Sequence, residues 1–150
     1  MCVYKDCYER MTNSPAERQS CTIELLRQAN LRPTRQRITL SFLLFGSGDR
    51  HVTAEALHAE AVEAGEKVSL ATVYNTLHQF RQAGLLRELA IDGSKTYFDT
   101  NTSNHSHFFD EQQATLIDIP DDSVRVEGLP TPPPGMRISH VDVVVRLVRE

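Results

Sequence analysis

His105 and His107, separated by one residue, form the densest group of metal-ligating side chains in this 150-residue chain. In a strand, positions i and i+2 project to one face, so an extended segment makes the two imidazoles converge. Asp99, a short way upstream, adds a carboxylate. Two imidazoles with a carboxylate suit Zn²⁺, Fe²⁺ or Mn²⁺, and a histidine pair also suits haem iron. The same donors occur in non-haem iron enzymes. Against an enzyme, the sequence has no nucleophile–base pair and no cofactor-binding loop. A haem or metal buffer is a third reading.

A second chemistry lies in residues 69–83. At about 100° per residue, Leu70, Val73, Leu77 and Phe80 fall together as the expected buried face. Thr72, Asn75, Gln79 and Gln82 fall opposite, flanked by Ser69, Tyr74 and His78. An uncharged, hydrogen-bonding helix face suits base-edge readout: amides pair with adenine, and a threonine methyl or tyrosine ring meets the thymine methyl. Arginines elsewhere then supply phosphate clamps. Two stretches are purely basic. From Leu25 to Gly48 the charges are Arg27, Arg32, Arg35 and Arg37, and from Lys67 to Arg87 they are Lys67, Arg81 and Arg87.

These groups need a scaffold, and the periodicity predicts one. Residues 1–20 read as a polar, flexible leader, with Met11 as an alternative start. A helix over Cys21–Ala29 breaks before the Arg32-Pro33 step. A second opens on Thr34 as N-cap and runs to Phe45, with Ile38, Phe42 and Phe45 inward. A third begins at Thr53, with Ala54, Leu57, Ala61 and Val62 inward, and stops at Gly65. A fourth spans Ser69 to Gly84. Strands follow at Leu85–Ile91 and Lys95–Phe98, joined at Asp92-Gly93, a hairpin turn signal. Helices followed by such a hairpin form a winged helix-turn-helix whose last helix enters the major groove. The fold class is therefore α+β, with a DNA-binding domain over 21–99 and a hinge over 100–104. A small, mostly β domain for dimerisation and metal or haem sensing follows over 105–150. Within it, His107–Glu111 and Leu116–Ile119 read as strands, Pro120–Gly135 as non-helical, and Met136–Val148 as a β-branched strand. That piece cannot bury its apolar strand well alone, so homodimerisation is expected, matched to a palindromic DNA site.

Charge looks adverse at first. With 16 Lys+Arg against 20 Asp+Glu the net charge is −4, whereas a nucleic-acid binder is expected to be basic. Residues 1–99 carry 12 basic and 12 acidic side chains, and residues 100–150 carry 4 and 8, so the excess belongs to the sensing half. A neutral DNA-binding half with local basic stretches implies few phosphate contacts per subunit and reliance on base readout and dimerisation. Hydrophobic residues make up 40%, enough for a core, and no run approaches a membrane span. Cys2, Cys7 and Cys21 are an odd set confined to the leader region, which excludes a disulfide scaffold and fits a reducing cytoplasm.

Leu70-Ala71-Thr72-Val73-Tyr74-Asn75-Thr76-Leu77, with Gln79-Phe80 and Ala83-Gly84-Leu85, resembles the recognition-helix signature of the Fur superfamily of metal-responsive regulators. Leu31–Arg37 and His51-Val52-Thr53-Ala54-Glu55 resemble it as well. The pattern is most similar to the Irr branch, the iron response regulators of rhizobia and their relatives. Arg32–Arg37, Asp92–Asn101, His107-Phe108-Phe109 and Asp142–Leu147 carry that likeness, and the match covers about residues 21–148.

The resemblance implies a cytoplasmic homodimer that binds a palindromic AT-rich operator in double-stranded DNA and controls iron and haem genes. Arg37 and Tyr74 fall on DNA-contacting positions, with Arg32, Arg35, Ser69, Thr72 and Asn75 beside them. His51, Asp99, His105, His107 and Asp118 fall where regulatory metal ligands lie. Manganese-, zinc- and peroxide-responsive members would look alike at those positions. Asp110-Glu111-Gln112-Gln113 stands where many relatives carry a C-x-x-C motif, so a Cys₄ structural zinc is excluded. Ser106 interrupts a histidine run common in Irr proteins and removes one haem ligand. None of the cysteines precedes proline, as a haem regulatory motif requires. His58, His78 and His140 read as surface or packing residues. The Pro-rich 120–135 stretch replaces a longer helical connection and implies a reduced dimer.

Overall fold

The computed structural model describes residues 14–120 and 122–150, which fall in two compact units dividing after Thr102. The first unit combines four helices with a small antiparallel sheet: α1 Pro15–Gln28, α2 Arg35–Phe45, β1 His51–Val52, α3 Ala54–Glu63, α4 Leu70–Gln82, β2 Arg87–Ala90 and β3 Thr96–Asp99. Each helix begins where a hydroxyl can satisfy an otherwise orphaned amide. The side chains of Ser14, Thr34, Thr53 and Ser69 accept from the backbone amides of Glu17, Arg37, Ala56 and Thr72 respectively. α4 ends on Gly84, whose φ of 77° is a left-handed value that glycine adopts without strain.

α1 begins six residues before the expected Cys21, because Ser14 caps it, Pro15 supplies a preset φ and Glu17 favours the N-terminal dipole. The leader reading thus fails for residues 15–20, while residues 1–13 lie outside the described set. Cys21 is disulfide-bonded, contrary to the expectation of reduced thiols.

Leu26, Leu40, Leu44, Leu57, Val73, Leu77, Phe80 and Phe98 form the centre of one continuous core. The inward faces differ from the expected ones in detail. α2 buries Leu40, Ser41 and Leu44, leaving Phe42 exposed. On α3, Val62 points outward, and on α4 Thr76 takes the inner place expected for Leu70. Thr76 can be buried because its Oγ1 donates to the Thr72 carbonyl at 2.8 Å.

The sheet order is β1-β3-β2. The wing hairpin pairs Arg87 with Asp99 and Ala90 with Thr96. Its turn is wider than an Asp-Gly pair alone. Asp92 Oδ1 accepts from the Ser94 and Lys95 amides and organises the whole connection. β1, two residues long and without detectable periodicity, pairs His51 with Asp99.

Arg50, just before β1, ties this corner together. Its guanidinium binds both Glu60 oxygens at 2.8 and 2.6 Å and the Leu43 carbonyl at 3.1 Å. Its backbone exchanges hydrogen bonds with Thr100. The Glu60 contact raises the Arg50 pKa further.

The second unit is a three-stranded sheet in the order β5-β4-β6, built from β4 Ser106–Asp110, β5 Thr115–Ile119 and β6 Val144–Leu147. β4 and β5 form an antiparallel hairpin, while β6 joins β4 in parallel. β6 covers only a third of the expected Met136–Val148 strand, and it ends at Leu147 opposite Asp110, the last residue of β4. Among the described residues this unit contains no helix.

Replacing Arg50 by alanine leaves Glu60 without its partner and releases β1, so it should lower unfolding stability by about 2 kcal/mol in urea titration. A loss below about 0.5 kcal/mol would show that this network is a solvated surface pair.

Candidate metal centre and nucleic-acid interface

Each unit places a histidine and an aspartate opposite one another on a ladder rung. In the first, β1 and β3 set His51 across from Asp99, with His51 Nε2 3.2 Å from Asp99 Oδ2. Asp99 is fully buried, and its Oδ1 accepts from the Asn101 amide at 2.8 Å. In the second, β4 and β5 set His107 across from Asp118, 3.4 Å from Nε2 to Oδ1. His105 Nε2 lies 3.2 Å from the same Asp118 oxygen. The two imidazoles converge as their i, i+2 spacing requires, with ring centroids 4.4 Å apart. Both are buried, whereas Asp118 is the open side of the set.

The donor chemistry of the His105, His107 and Asp118 set fits a divalent cation. Their ligand atoms lie within 4.8 Å of one another. His105 Nδ1 lies 2.8 Å from the Ser103 carbonyl, which calls for the ring proton on that side. Nε2, on the other side of the ring, faces the Asp118 oxygen. The Ser103 bond is of the outer-shell kind that orients ligating histidines, leaving Nε2 on the side of the donor set. Ser106, whose side is opposite to that of its neighbours, takes no place in the set.

The expected DNA-facing residues fall on α2, α4 and the loop before α2. Arg32, Arg35 and Asn75 are exposed, and Arg37, Thr72 and Tyr74 are half-buried. Most of them also hold each other or the frame. Arg37 donates to the Arg32 carbonyl at 2.9 Å and to Gln79 Oε1 at 2.7 Å. Arg35 reaches the buried Glu66 carboxylate at 3.4 Å, which also accepts from Thr39 at 3.0 Å. Ser69 caps α4, and its hydroxyl shares a hydrogen bond with that of Thr72 at 2.9 Å. The Tyr74 hydroxyl donates to Glu55 Oε1 at 2.9 Å. That bond raises the Tyr74 pKa. Glu55 is held below its ordinary value, first by its own backbone amide and then by Tyr74.

Glu55 and Glu66 are partners that spacing alone does not reveal, since they sit 19 and 31 residues from the groups they hold. His78 packs rather than projects: it stacks on Tyr74 at 6.4 Å and meets Phe98 edge-on at 5.8 Å. His58 bonds the Val68 carbonyl at 2.9 Å. His140 is exposed and lies 3.1 Å from Asp142.

The model of the ferric uptake regulator family matches residues 28–145. The ferric uptake regulation protein of Shigella flexneri is 32% identical over 117 residues, covering 77% of this chain and 79% of that protein. The peroxide-responsive repressor PerR of Staphylococcus aureus is 36% identical over 98 residues, covering 65% and 66% respectively. Among solved structures, a ferric uptake regulator from Pseudomonas aeruginosa with manganese aligns at a TM-score of 0.64 and 28% identity, covering 86% of this chain and 98% of that one.

His107→Ala removes a buried donor, and should weaken Mn²⁺ or Zn²⁺ binding at least tenfold, on the order seen for losses around metal sites. Isothermal titration reads this directly, and an unchanged affinity would exclude His107 as a ligand.

Proposed function

This chain belongs to the ferric uptake regulator family, and we propose that it is a metal-responsive transcriptional regulator binding double-stranded DNA as a homodimer. Members of this family regulate transcription and are not enzymes. The observation that carries the metal response is the His105, His107 and Asp118 donor set, two buried imidazoles and a carboxylate whose ligand atoms lie within 4.8 Å of one another. The relative solved with manganese supports the same chemistry. In our reading His51, Asp99, His105, His107 and Asp118 are the regulatory ligands, two of them in the first unit and three in the second. Fe²⁺, Mn²⁺ and Zn²⁺ all suit such nitrogen and oxygen ligands.

The DNA reading draws on α4, whose outer face is uncharged and hydrogen-bonding, with Arg32, Arg35 and Arg37 supplying positive charge nearby. A homodimer accounts for the exposure of Val145, Leu147 and Val148 at β6 and Ile117 on β5. The target in this reading is a palindromic AT-rich operator near iron and haem genes. Among the described residues no helix is long and apolar enough to cross a membrane, and we take the regulator to work in the cytoplasm.

Irr-type regulation, with DNA binding under iron scarcity and release by haem, is the second reading. Its support is the His105-Ser106-His107 pair and the sequence likeness described above. Ring centroids 4.4 Å apart leave no room for a porphyrin plane between the two imidazoles, so haem would take one of them singly. A divalent ion can use both, and is the better fit.

Gel-shift titration of the full chain with Mn²⁺, Zn²⁺ and haem decides between these signals. The expected outcome is a change of fivefold or more in DNA affinity, about the lower end of allosteric couplings, with Mn²⁺ or Zn²⁺. A response to haem alone would favour the Irr reading, and no response to any of the three would end the sensor assignment.

A further inference from the structure

Tyr74 sits on α4 with its hydroxyl already committed. Its single proton points to Glu55 Oε1 at 2.9 Å. A phenol has one proton and two acceptor lone pairs, so toward solvent this group offers acceptors only. Glu55 lies in the first turn of α3, two residues after the capping Thr53. Its carboxyl is held in the ionised form while the phenol is held protonated, which prevents the pair from exchanging roles near neutral pH. The ring is braced as well, by His78 stacked at 6.4 Å, and His78 is itself set against Phe98.

Duplex DNA has few groups that satisfy an acceptor. Phosphate and sugar oxygens are acceptors themselves. In the major groove the donors are the exocyclic amino groups, adenine N6 and cytosine N4. We propose that Glu55 sets the hydrogen-bond polarity of Tyr74, so that Tyr74 reads an exocyclic amino group and does not clamp a phosphate. Glu55 is then a positioning residue for specificity, and its negative charge further disfavours a phosphate at this spot. This inference rests on the DNA-binding reading above.

The test uses the full chain with Mn²⁺ and a duplex selected by the unaltered protein from a randomised pool. In that duplex each adenine is replaced in turn by a purine lacking the N6 amino group, and each cytosine by an analogue lacking the N4 amino group. The expected result is at least one position per half-site where the deletion weakens binding about threefold to tenfold, the range for a single hydrogen bond. Tyr74→Phe should be insensitive to the deletion at that position. Glu55→Gln, whose amide can donate to the phenol oxygen and turn its proton outward, should lose the sensitivity too. The proposal is overturned if Tyr74→Phe stays as sensitive as the unaltered chain everywhere. It is also overturned if Glu55→Gln binds all duplexes uniformly more weakly or more tightly while keeping the sensitivity, since Glu55 is then structural or electrostatic only. Failure of the unaltered chain to select any duplex would sink the DNA reading and this inference together. A selected duplex with no amino-sensitive position would sink this inference alone.

Discussion

A carboxylate taken wholly out of water must be matched by donors, or it costs several kcal/mol. Asp99 is such a group, fully buried at the end of the central strand of the first unit. The Asn101 amide donates to its Oδ1, and His51 Nε2 lies 3.2 Å from its Oδ2 across the ladder rung. Holding His51 there requires β1, and β1 is anchored by Arg50 through Glu60, Leu43 and Thr100. From His51 the chain runs through the capping Thr53 directly into α3, where Glu55 holds Tyr74. The candidate ligand pair and Tyr74 of α4 are thus joined by one short, well-bonded stretch. A change at His51 or Asp99 has a physical connection to Tyr74 that needs no other part of the molecule.

The second unit repeats the device with different strands. His107 faces Asp118 across β4 and β5 as His51 faces Asp99 across β1 and β3. A ladder rung is a good frame for a metal ligand pair, because directly opposed side chains are held about 5 Å apart at their Cβ atoms by the backbone alone. Ligand geometry then depends little on side-chain packing. His105 adds a third donor through the i, i+2 rule and is oriented by Ser103.

The arrangement around the candidate DNA-facing residues refines the reading of charge. Net charge of −4 does not preclude nucleic-acid binding once its distribution is known. The cations of that face are nevertheless partly engaged inside the molecule, Arg35 with Glu66 and Arg37 with Gln79 and the Arg32 carbonyl. The Glu66 carboxylate offsets part of the Arg35 charge, while the neutral acceptors of Arg37 fix its side chain without cancelling its charge.

Much of this was legible in the residues. Thr34, Thr53 and Ser69 announce their helices because a capping hydroxyl has a local cause, and the wing announces itself through Asp92-Gly93 and the change of period after Gly84. His105 and His107 are legible as a pair for the same reason: their relation is local. What escaped was set by distant partners. β1 is two residues long and exists only because β3 lies beside it. β6 stops at Leu147, opposite the last residue of β4. Phe42, Val62 and Leu70 obey helical spacing yet face outward, since the neighbouring elements select which stripe is covered. Glu55 and Glu66 gain their roles wholly from tertiary placement. The most direct test of the central claim, that metal occupancy and DNA binding are energetically linked, is reciprocity. Mn²⁺ affinity is measured by titration calorimetry for the chain alone and saturated with its selected duplex. The account predicts that the duplex shifts Mn²⁺ affinity by the same factor by which Mn²⁺ shifts duplex affinity. Equal Mn²⁺ affinity in both states would contradict it.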